Sequence, residues 1–109
     1  MAVHEFGLME SPPIHGRRYD EYEPARYACI AVCDDDLDCH LQSLCAIPCF
    51  AHTLDCPMMG LAWCGITLIP PQSAREMAEL LRSDPSLCAL TDLCSRAADQ
   101  QKYIIHFGL

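Results

Sequence analysis

The sequence predicts an α+β domain of the split βαβ, ferredoxin-like kind: an antiparallel sheet with helices on one face and the second helix broken in two. Apolar runs rich in β-compatible side chains alternate with helically periodic segments in the order β, α, β, β, α, α, β. Residues 27–33 and 61–69 are apolar on both faces, as the first and third strands of that topology must be, because they lie in its centre. The length, 109 residues, suits a single compact core. A three-layer α/β arrangement with a mostly parallel sheet is the alternative that the same order allows.

Residues 1–25 read as an extended arm packed on the domain, because Ser11-Pro12-Pro13 and Glu23-Pro24 bracket a polar and aromatic run. The domain proper spans 26–109. Tyr19, Tyr22 and Tyr27 are the arm's expected anchors. Within the arm, His4-Glu5-Phe6-Gly7-Leu8 echoes His106-Phe107-Gly108-Leu109, an echo too short to establish a repeat.

The first strand, 27–33, ends at Asp34-Asp35-Asp36, which cap a helix and favour its positive end. Leu37, Leu41, Leu44 and Cys45 carry that helix until Pro48 stops it. Residues 49–54 and 61–69 form a hairpin around the turn-forming stretch from Asp55 to Gly60. Ser73-Ala74-Arg75-Glu76 matches a capping box and opens the second helix, with Ala74, Met77, Ala78 and Leu81 as its stripe. Asp84-Pro85 opens the third, where Leu87, Leu90, Cys94 and Ala97 continue the buried face. Residues 102–109 alternate as a final strand. Helices on one face leave the other apolar face in need of a cover, supplied by the arm or by a second copy, so a homodimer is expected.

The formal charge is -8, and the basic residues are scattered rather than gathered into a stripe, which disfavours nucleic acid and anionic membranes as partners. The first residues lack the basic start and apolar run of a signal peptide, so a cytoplasmic location is expected. Nine cysteines, an odd number, then read as thiols in a reducing compartment, mostly packed as small apolar residues.

Three constellations could carry chemistry. Asp34-Asp35-Asp36-Leu37-Asp38 matches metal patterns on paper, but the glycine and the distal glutamate of a calcium loop are missing, which leaves a capped helix start. Cys45, Cys49, His52 and Cys56 supply the donor set of a tetrahedral zinc or iron site, against which strand alternation throws Cys49 and His52 onto opposite faces. His52, Asp55, Cys56, Trp63 and Cys64 mark the expected ligand or active-site region, in which an imidazole beside Cys56 or Cys64 would activate a thiolate. Met58, Met59 and Trp63 add an adaptable apolar surface near the turn.

No phosphate loop, nucleophile elbow or dinucleotide fingerprint is present. The sequence therefore points to a small, non-catalytic ligand-binding or protein-interaction module that needs no cofactor and binds an unspecified small molecule. A Cys/His metal protein holding zinc or iron, and a small cysteine-dependent hydrolase or transferase, are the alternatives.

Overall fold

A computed structural model describes residues 2–109. The chain builds one six-stranded sheet and four α-helices, an α+β architecture. In chain order these are β1 Val3–Leu8, β2 Ile30–Cys33, α1 Asp34–Asp38, α2 Leu41–Leu44, β3 Pro48–Ala51, β4 Pro57–Met59, β5 Ile66–Ile69, α3 Pro71–Leu81, α4 Cys88–Gln100 and β6 Ile104–Phe107. The strand order is β2-β1-β6-β5-β3-β4, and each neighbouring pair is antiparallel.

This order differs from the split βαβ topology and from a mostly parallel three-layer sheet. The first and third expected strands are not neighbours, because β1 and β6 lie between β2 and β5. The cause is the segment read as an arm. Val3–Leu8 is an inner strand, with Phe6 across from Ile30 on one side and from His106 on the other. Its alternation is of a kind that polarity conceals: His4, Phe6 and Leu8 face the helices, while Val3, Glu5 and Gly7 face away. By pairing with β6 on its inner side, β1 leaves β2 at the edge.

The helix-facing layer joins Phe6, Val32, Ile69 and Ile104 of the sheet to Met77 and Leu81 of α3 and to Leu90, Cys94 and Ala97 of α4. Leu37 and Leu44 close its rim from α1 and α2. Each such large side chain contributes about 1.5–3 kcal/mol by leaving water. On the opposite face, Ile66, Leu68, Ile105 and Phe107 pack against Met9, Tyr19, Tyr27 and Cys29. The cover expected from an arm or a second copy is thus supplied by residues 9–29 of the same chain.

Several boundaries shift. The first expected helix divides at Cys39-His40 into α1 and α2. The turn after β3 carries its own short strand, β4, paired to β3. Residues 61–65 form a loop, and β5 begins at Ile66. The capping box does not form: Pro70 precedes the helix, and the Ser73 hydroxyl donates to the Pro48 carbonyl, tying α3 to β3. Asp84 does cap its turn, accepting the Ser86 N–H at 3.0 Å ahead of α4.

Candidate functional site

A cleft of about 630 Å³ opens where the start of β1, the end of β6 and the start of β5 meet. Val3 and Glu5 enter it from the helix-averted side of β1, Ile66 from β5 and Phe107 from β6. Asp20 and Tyr22 close it from the covering segment, and His52 and Cys64 from the loops flanking β5. Gly108 lines its floor, where a Cβ would collide with the carbonyls of Ala62 and Trp63. Two antiparallel-style contacts, Gly108 N–H to the Gly65 carbonyl at 2.7 Å and Leu109 N–H to the Trp63 carbonyl at 2.8 Å, hold this close approach.

His52 is fixed by its backbone and its ring together. It ends β3 in the left-handed conformation, φ 61, which turns its side chain out of the strand's alternation. Its Nδ1 lies 2.8 Å from Asp20 Oδ1 and 3.1 Å from the Tyr19 carbonyl, while Nε2 accepts the Ile66 N–H at 3.4 Å. Those partners assign the proton to Nδ1 and leave the lone pair of Nε2 to the Ile66 N–H. The Tyr19 N–H donates to the His52 carbonyl at 2.7 Å, so the covering segment and the sheet are latched at this residue.

Across the cleft, the Tyr22 hydroxyl donates to the Glu5 carboxylate, and its ring stands edge-on to Phe107 at 5.4 Å. That hydrogen bond, ahead of burial and the charge of Glu5, holds the Tyr22 phenol above its ordinary pKa. The lining carries two carboxylates, Glu5 and Asp20, and no lysine or arginine. Chemically it offers acceptors around an apolar floor.

Of the expected site residues, His52 and Cys64 come together in this cleft. Asp55 and Cys56 lie exposed in the turn between β3 and β4, and Trp63 points to the other side of the sheet, its ring 4.5 Å from that of His4. Among the described residues, Cys64 makes no hydrogen bond to His52. The four expected metal ligands do not converge. Cys49 is buried in the helix-facing core, its thiol pushed up to about 12 by burial, whereas Cys45 and Cys56 are exposed. No group of three His, Cys, Asp or Glu side chains among the described residues is placed to hold a metal ion.

A set absent from the sequence reading lies directly behind the cleft, on the helix-facing side of the same three strands. His4 and His106 are fully buried, with His4 Nδ1 2.9 Å from His106 Nε2. His4 Nε2 lies 2.8 Å from Asp34 Oδ1, and His106 Nδ1 lies 3.0 Å from Thr67 Oγ1. Each strand thus alternates one residue of this chain with one of the cleft wall. The signal available in sequence was the echoed His-Phe-Gly-Leu, whose two histidines prove to be bonded to each other.

Comparison with known protein families, with curated proteins and with solved structures finds no match to this chain. No helix among the described residues is long and apolar enough to cross a membrane.

Proposed function

We propose that the chain is a non-catalytic binding module whose cleft takes a small molecule with a cationic or hydrogen-bond-donating head and an apolar body. The observation that carries this reading is the cleft's composition: Glu5 and Asp20 bring carboxylates, Phe107 and Ile66 are apolar, and no lysine or arginine lines it. Two carboxylates on the wall of a cleft favour a cationic or donating head and disfavour an anion. The chain's net charge of -8 adds a long-range bias of the same sign. Residues 9–29 occupy the second sheet face, which favours a ligand over a second copy of the chain as the partner.

The cysteine-dependent reading is supported by the Asp20–His52 pair beside Cys64, and it ranks second because the thiol and the imidazole are not hydrogen-bonded. A matched pair of probes separates charge from shape. In calorimetric titration at low salt, 2-phenylethylamine is expected to bind and 3-phenylpropionate is not, and Glu5→Gln with Asp20→Asn is expected to weaken the amine by about tenfold or more. Equal binding of both probes, or amine binding indifferent to the double substitution, contradicts the proposal.

A further inference from the structure

Basic residues that are scattered along the sequence are brought together by the fold. Arg17 and Arg26 line one hollow of about 200 Å³, where the covering segment meets the end of β1. Leu8, Met9 and Ile14 give it apolar walls, and it shares no lining residue with the cleft. Arg26 also borders a neighbouring hollow of about 270 Å³ that holds Arg96 of α4.

Both guanidiniums are held in place by local structure. The Arg17 N–H donates to the Ile14 carbonyl at 3.1 Å, and the Ile14 N–H donates to the hydroxyl of the buried Tyr19 at 3.1 Å. Arg17 Cζ stands over that same tyrosine, 5.0 Å from the ring centre. Arg26 lies in the single turn Pro24–Tyr27, with its Cζ 5.7 Å from the centre of the Tyr27 ring. A guanidinium stacked on an aromatic face keeps its fork of N–H donors available to a ligand. The acids nearby leave a positive surplus. Glu10, the one carboxylate on the wall of the hollow, is bonded to Lys102 Nζ at 2.6 Å. Glu23 takes one contact from Arg26 at 3.2 Å, and among the described residues Arg17 has no carboxylate within ion-pair distance. Asp20 and Glu21 line a third hollow that the two arginines also border, and there Asp20 is bonded to Arg18 at 2.7 Å.

We propose that the hollow lined by Arg17 and Arg26 is a second binding site, for a small oxyanion, carboxylate or phosphate, carried on an apolar group. The arginine forks match the paired oxygens of such a head, and the apolar walls take the body. The chain's net charge of -8 opposes any anion at long range, so binding rests on these local donors. The inference holds whatever occupies the cleft.

Titration with benzoate, benzamide and inorganic phosphate at about 0.15 M salt, followed by the amide and arginine Nε–H signals in NMR spectra, tests this. Benzoate is expected to shift the signals of residues 9–17 and 26–27 saturably while those of Ile66 and Gly108 in the cleft stay in place. Benzamide, which has the same shape without the charge, is expected to leave all of them unmoved. Phosphate saturating the same signals in place of benzoate would name phosphate as the head group. Arg17→Gln is expected to weaken the bound anion by about tenfold. Arg82→Gln, at the exposed end of α3 and bordering none of these hollows, is expected to change nothing. Benzamide binding as well as benzoate, no saturable shift from either anion, or equal losses from the two substitutions overturns the proposal.

Discussion

A Cβ at Gly7 would lie 2.6 Å from the Cβ of Tyr27 and 2.7 Å from Cys29 Sγ, closer than packed atoms come. Gly7→Ala therefore pushes residues 27–29 off the sheet face they cover. A loss of about 2–3 kcal/mol in denaturant unfolding is expected, and an unchanged midpoint would mean that the covering segment does not cross β1 as described. At this scale the sequence was partly legible. Cys94, expected on a buried stripe, is fully buried, and His52 and Cys64, singled out for chemistry, share the cleft. His4 and His106 were not legible as a pair, because 102 residues separate them and only strand register brings them together. Glu5, Asp20 and Tyr22 escaped for a related reason: a charge or phenol in a polar run looks solvated until the chain folds over it.

Among the elements, α3 shows local pattern yielding to tertiary contact. Ser73 and Glu76 have the spacing of a capping box, yet Ser73 is buried within the helix and its hydroxyl holds the Pro48 carbonyl, while Glu76 is exposed. Ser73→Ala should then cost about 1–2 kcal/mol by orphaning a carbonyl at β3, and Glu76→Ala should be nearly neutral. Paired thermal melts check this, and equal losses from the two substitutions would restore the capping box. Helical stripes, strand runs and the proline at the start of the turn before α4 were readable because they are consequences of local periodicity. Neighbour order was not. The run at 27–33 is apolar enough for a central strand, but it sits at the edge, its flanks covered by helix-side packing and by β1. The strand that lies inside it, β1, carries His4 and Glu5, polar residues made tolerable by Asp34, His106 and Tyr22. A pattern that treats every histidine as solvent-facing misses such a strand.

For the whole molecule, the α+β class and the need for a second cover on the sheet followed from composition and periodicity, while the identity of the cover followed only from the fold. Residues 9–29 do what a partner chain would otherwise do, and in doing so they create the cleft between Asp20, Tyr22 and the strand ends. Cleft, cover and buried histidine chain all depend on one placement: β1 between β2 and β6. Cross-strand nuclear Overhauser contacts in uniformly labelled protein test that placement directly. Contacts are expected from Phe6 to Ile30 on one side and to His106 on the other, both in antiparallel register. Contacts instead between residues 27–33 and 61–69 in antiparallel register, with residues 1–25 lacking cross-strand partners, would contradict it.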